Sequence, residues 1–173
     1  MPWPPGVACI EAGRARWLLA GGLLAVAGCA SSPPPPPPAP TTISLEISAA
    51  ADANATPDGT GAPVAIRIYQ LGSKLGFEGA EFYRLYNADT ATLGPDLIKK
   101  DELLIAPKTS KSLTLMPADT VHALGVFAAY SDFQNATWRA DCDVPAHQAT
   151  TVNITADRTG IKLAATSSKP TSH

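Results

Sequence analysis

Paired cysteines, clustered histidines and long apolar runs are all missing from this chain, and each absence excludes a class of protein. The three cysteines, Cys9, Cys29 and Cys142, form no CxxC pair. His122, His147 and His173 are far apart, and none has a partner at metal-ligand spacing. No phosphate-cradling glycine loop, HExxH or GxSxG motif occurs. The sequence therefore leads us to expect no catalytic residues, no metal, no cofactor and no small-molecule substrate. Thirteen Lys and Arg stand against fifteen Asp and Glu, for a net charge of −2. Nothing in that balance is basic enough to point to a nucleic-acid partner or an anionic lipid surface. The longest apolar segment, Trp17 to Ala27, is about half of the roughly 20 residues a transmembrane helix needs.

What is present near the start is more specific. Arg14 and Arg16 precede that short apolar segment, and small residues follow it, which is the plan of a secretory signal. Its end, Val26-Ala27-Gly28-Cys29, resembles the lipobox of bacterial lipoproteins. That resemblance implies a diacylglycerol thioether on Cys29, cleavage before it, and a second acylation of the new N-terminus. Two or more acyl chains anchor stably where one does not. Ala30, not Asp, follows the cysteine, so the family rule for inner-membrane retention is not met and outer-membrane delivery is expected. The expected division is a signal over 1–28, a lipidated tether over 29–42, a folded domain over 43–166 and a tail over 167–173. Glu11, Arg14 and Arg16 leave with the signal, so the mature chain carries eleven basic and fourteen acidic side chains. Cys9 also leaves and Cys29 carries lipid, so Cys142 has no disulfide partner in its own chain.

The tether, Ser31 to Thr42, contains seven prolines. Polyproline II at ~3.1 Å per residue makes it a semi-rigid spacer of ~35 Å. From there the chain reads as β structure. Ile43, Leu45 and Ile47 alternate with Ser44, Glu46 and Ser48, as in a half-buried strand. A long turn-rich connection, Ala51 to Ala62, follows. The next strand, Pro63 to Leu71, puts Val64, Ile66 and Ile68 on one face and Arg67, Tyr69 and Leu71 on the other. Phe82, Leu85 and Tyr86 then fall at helical spacing, predicting a short helix over about Gly79 to Tyr86 with Asn87 at its exit. Further strands are expected over Glu102–Ala106, Ser112–Met116, Val121–Tyr130, Thr137–Asp141, Ala149–Ala156 and Gly160–Thr166. Val121 to Ala129 is nearly continuous apolar, as a strand covered on both faces would be. Seven or eight short strands at this spacing give a mainly β sandwich with one small helical segment, and the chain from Ser167 on is expected to fray.

Several segments together resemble one family. Val64-Ala65-Ile66-Arg67-Ile68-Tyr69-Gln70-Leu71 comes first, then Phe77 and Ala80-Glu81-Phe82-Tyr83-Arg84-Leu85-Tyr86. Leu93-Gly94-Pro95-Asp96-Leu97, Leu124-Gly125-Val126-Phe127-Ala128-Ala129-Tyr130 and Ala136-Thr137-Trp138-Arg139 follow in order. The set resembles the outer-membrane lipoprotein of the type VI secretion system, the TssJ (SciN) family. The resemblance implies a transthyretin-like β-sandwich on the periplasmic face of the outer membrane. It also implies binding to the periplasmic C-terminal domain of TssM, with TssL a further candidate reached through the complex. In that family the loop between the first two strands makes the contact, which places the binding residues here at Asp52, Asn54, Thr56, Pro57, Asp58 and Gly59. One departure is Tyr130-Ser131-Asp132, where the family commonly has Phe-Arg-Asp; it removes a positive charge from that corner. Two other readings fit the composition. One is a carbohydrate- or peptidoglycan-binding lipoprotein stacking sugars on Trp138, Tyr130 or Tyr83. The other is a pilotin-like escort of another outer-membrane machine.

Overall fold

The computed structural model describes Pro34 and residues 36–169. Cys29 and the signal lie outside the described residues. No described helix is long and apolar enough to cross a membrane. Eight strands form two four-stranded sheets. One, sheet A, runs β4 (Ser110–Leu115), β1 (Thr42–Ala49), β7 (Ala149–Asp157), β8 (Gly160–Ser168). The other, sheet B, runs β3 (Leu97–Ile105), β2 (Val64–Leu71), β5 (Ala123–Ala129), β6 (Arg139–Asp143). Every pairing is antiparallel except β1 with β7. This is the mainly β sandwich that the strand pattern predicts.

The core between the sheets is built by alternation. Ile43, Leu45, Ile47 and Ala49 of β1 point inward, as do Val152, Ile154 and Ala156 of β7. They meet Val64, Ile66 and Ile68 of β2 and Leu124, Val126 and Ala128 of β5. The opposite faces of β2 and β5 are also covered. Tyr69, Leu71, Ala123 and Phe127 pack under Phe77, Phe82, Leu85 and Leu93 of the connection between β2 and β3. That explains the unbroken apolar run of β5. At Gly125 the covering is so close that an added Cβ would sit 3.1 Å from both the Phe77 ring and Leu71.

The structure corrects several boundaries. The single helix expected over Gly79 to Tyr86 is two: α1 (Leu75–Gly79) and α2 (Phe82–Leu93). Asn87 is the exit of the first helical stretch as expected, since Ala88 leaves helical geometry (φ −149°, ψ 45°); what was not expected is the second stretch that follows to Leu93. β3 begins at Leu97 rather than Glu102, β6 runs over Arg139–Asp143, and Ser167 and Ser168, expected to fray, pair in β8.

The kink has a defined chemistry. The Arg67 guanidinium donates to the Leu85 and Tyr86 carbonyls (3.0 and 3.1 Å), capping the first half of α2. Asp89 accepts from the Thr90 backbone N–H at 2.7 Å, capping the second half. Asp89 is buried and also receives Tyr69 Oη at 3.1 Å, Lys100 Nζ at 3.0 Å and Arg67 at 3.4 Å. Burial alone would raise the pKa of this carboxyl. Lys100, the Thr90 N–H and the Tyr69 hydroxyl outweigh that cost and hold it below the usual range.

Candidate functional site

Chain direction sorts the connections into two ends of the sandwich. β1 starts at Thr42 and runs parallel to β7, so the connections β1–β2, β3–β4, β5–β6 and β7–β8 gather at the far end from Thr42. The near end is where the chain joins the domain, and it is fastened there. The Thr42 N–H donates to the Gln148 carbonyl at 3.1 Å, and the His147 N–H donates to Thr41 Oγ1 at 2.9 Å. His147 Nδ1 lies 2.9 Å from the Ala39 carbonyl, so its N–H tautomer donates to the end of the tether. Nothing in the sequence pattern marks His147 for this task.

At the far end, the β1–β2 loop divides into a tip and a base. Pro57, Asp58 and Gly59 are exposed, Thr56 is half-buried, and Asp52 is exposed at the loop's start. The tip is closed on itself. The Thr56 N–H donates to the Thr60 carbonyl and the Gly59 N–H to the Thr56 carbonyl, both at 2.8 Å. Asp58 accepts from the Thr56 hydroxyl on one oxygen and from the Thr60 hydroxyl, at 2.7 Å, on the other. These bonds hold the Asp58 carboxyl below its usual pKa range, Thr56 first and Thr60 next. Gly59 sits at φ +86°, a conformation that suits glycine. At Gly61 an added Cβ would lie 2.1 Å from the Ala51 carbonyl oxygen, so the two arms of the loop pass with backbone against backbone.

Asn54 is not a tip residue. It is 7% exposed and sits at φ +49°, turned into the molecule. Its Nδ2 donates to the Pro63 carbonyl at 2.9 Å, and its Oδ1 accepts the Ser131 N–H at 2.8 Å. It thus ties the β1–β2 loop to the β5–β6 loop, a use for Asn that its turn propensity does not reveal.

Two grooves flank this tie. One, of about 380 Å³, is lined by Ala55, Thr56, Pro57, Ser131, Asp132 and Arg158. The corner that lacks Arg at position 131 therefore holds a cation after all, supplied by the β7–β8 turn. The other, of about 290 Å³, runs along the start of α2 beside Tyr83, Tyr86, Ser131 and Phe133. Trp138 does not offer a free stacking platform. It is half-buried, edge-on to Phe82 and Phe127, with Arg139 over its ring at 4.8 Å. Arg139 itself donates to the Phe77 and Ala80 carbonyls at 3.2 and 2.6 Å, holding α1 down. Tyr130 is buried and Tyr83 is exposed. Cys142 lies half-buried in β6, where burial, with Asp141 and Asp143 beside it, pushes the thiol up to about 11. Such a thiol is a poor nucleophile. Among the described residues no group of His, Cys, Asp and Glu could hold a metal ion.

A parallel β1–β7 pair inside a two-sheet sandwich, with helices laid over the second sheet, defines a structural class shared with known proteins. Residues 41–159 match the family described as type VI secretion lipoprotein, VasD, EvfM, TssJ, and the chain belongs to it. Among solved structures it is similar to the type VI secretion lipoprotein TssJ1 of Pseudomonas aeruginosa. There the identity is 31% over 73% of this chain and 97% of that one, with a TM-score of 0.71. Serratia marcescens Lip, a membrane-bound component of the type VI secretion system, is 27% identical over 72% and 96%, with a TM-score of 0.67. A chain in the structure of the T6SS protein TssM C-terminal domain from EAEC is 27% identical over 70% and 99%, with a TM-score of 0.59. No curated protein matches the chain.

Proposed function

We propose that this lipoprotein is held in the outer membrane by lipid on Cys29, faces the periplasm, and binds the periplasmic C-terminal domain of TssM through the tip of its β1–β2 loop. The observation that carries this reading is the opposition of the two ends of β1. The tether joins at Thr42, and the tip springs from the other end, beyond Ala49. Eight residues at ~3.3 Å put ~26 Å between the two ends of the strand. A lipid at one end would thus present the tip deep in the periplasm. The tip's hydrogen bonds support the same reading, since a loop already ordered loses less entropy on docking. The family membership and the resemblance to a chain in a TssM structure make TssM the natural partner. Asp52, Thr56, Pro57, Asp58 and Gly59 are the contact residues, and Asn54 supports them from behind.

The test is binding of the mature chain to the purified periplasmic domain of TssM, measured by calorimetry. Deleting Thr56 to Thr60 removes several candidate hot spots at ~2 kcal/mol or more each, so affinity is expected to fall at least ~100-fold. Undiminished affinity would exclude the tip. In cells, Cys29→Ser is expected to release the protein into the soluble periplasm and abolish secretion while binding in vitro is kept.

A further inference from the structure

We infer that the docking surface does not end at the loop tip: it continues across Ser131 into the groove beside Tyr83, Tyr86 and Phe133, which takes an apolar or aromatic side chain from the same partner. This rests on the reading above. Three observations carry it. First, the two grooves are neighbours, because Ser131 lines both. Second, the surfaces on either side are mechanically one, because Asn54 of the first loop accepts the Ser131 N–H of the other. Third, the second groove has the chemistry of an anchor pocket. Tyr83 and Tyr86 are 58% and 46% exposed, yet they stand on a fixed floor. Phe82 beneath them stacks on Phe133 at 4.1 Å and on Tyr86 at 5.7 Å, and packs against Phe127. No charged side chain lines this groove.

At about 290 Å³ the groove has room for one large inserted side chain. The chain's own proline tether is a poor occupant, since Thr42 lies at the opposite end of the sandwich. A partner segment gripped at the tip would meet Asp132 and Arg158 next and then the aromatic floor. Its expected character is therefore polar, then a large apolar residue, the arrangement of a rim beside a hot spot.

The experiment uses the lipidated mature chain in nanodiscs and the TssM periplasmic domain as probe. Tyr83→Ala/Tyr86→Ala is expected to weaken binding at least ~10-fold, mainly through a faster off-rate, with the melting temperature within a few degrees of wild type. Phe133→Ser serves as the second variant and is expected to weaken binding similarly. Unchanged affinity in both, while deletion of Thr56 to Thr60 still abolishes binding, overturns the inference and leaves the proposed function standing. Failure of the wild-type chain to bind the probe overturns both. If the tyrosine variant keeps its affinity but loses self-association in sedimentation, the groove belongs to a second copy and the inference falls.

Discussion

Sheets A and B share one core yet treat their outer faces in opposite ways. Along β1 and β7 every second residue leaves the core, and Ser44, Glu46, Thr151 and Asn153 are exposed. Along β5 six of the seven residues are buried, because α1 and α2 cover the other face. An antiparallel sheet can leave one face in water; sheet B does not, and the covering needs fasteners that sheet A lacks. Arg67, Asp89 and Lys100 fix α2, and Arg139 fixes α1. The helical layer also builds the aromatic floor beside Tyr83. The covered sheet therefore carries both the polar network and the second groove, whereas sheet A contributes strands and turns.

The contrast is broken most sharply at Phe82. Its ring packs against Phe127, Phe133 and Trp138 and is 8% exposed. Phe82→Ala should cost about 3–5 kcal/mol, the usual range for emptying an aromatic site. Asn153→Ala, on the open face of sheet A, should stay within ~0.5 kcal/mol. Urea denaturation of both variants checks the pair, and equal losses would mean that the helical layer contributes little to stability.

Next in size is the fastener itself. Asp89→Asn keeps the shape but leaves Lys100 and Arg67 facing a neutral group, which should cost about 3 kcal/mol and lower the melting temperature by roughly 10 °C. The sign with pH follows from the lowered folded-state pKa. The folded protein binds this proton less tightly than the unfolded chain, so the stabilisation is complete above the ordinary carboxylate pKa of ~3.9 and is lost as pH falls below it. Asp157, held at about 2 by Lys162 and Thr159, adds in the same direction over the same window. Melting curves between pH 7 and 2.5 should show the wild type losing more stability than Asp89→Asn. Parallel curves would show that the Asp89 carboxylate is not linked to folding.

How much could be read beforehand differs between the two sheets for the same reason. Strict alternation announces β1, β2 and β7, and the apolar run of β5 announces that something covers it. What covers it was half legible. Phe82, Leu85 and Tyr86 show a helix and Asn87 its exit, but not the second stretch that runs on to Leu93. The helix resumes because Arg67, some twenty residues earlier, takes the stranded carbonyls and Asp89 restarts the turn. Local propensity contains neither contact. The first half of β3, Leu-Ile-Lys-Lys-Asp, hides because an edge strand with lysines on it has little alternation to show. At the far end, Asp58-Gly59 reads correctly as a turn, while Arg158 and Ser131 come into the site only through the topology.

At Asn54 turn chemistry and tertiary contact are hard to separate by eye and easy to separate by mutation. At φ +49° an L-residue is strained, and Asn tolerates this region better than Ala. Asn54→Gly keeps the backbone unstrained and removes both side-chain hydrogen bonds; Asn54→Ala removes the bonds and adds strain. Each lost bond is worth about 1 kcal/mol net, and Ala in place of Gly at positive φ about 1 more. Expected losses are therefore ~2 kcal/mol for Gly and ~3 kcal/mol for Ala, below the largest cost expected at Phe82. The informative readout is binding. If Asn54 joins two loops into one surface, Asn54→Gly should weaken partner binding several-fold and remove most of the further effect of Tyr83→Ala/Tyr86→Ala, because the two patches no longer hold register. Full additivity in that double-mutant cycle would mean that the tip and the groove act as separate sites.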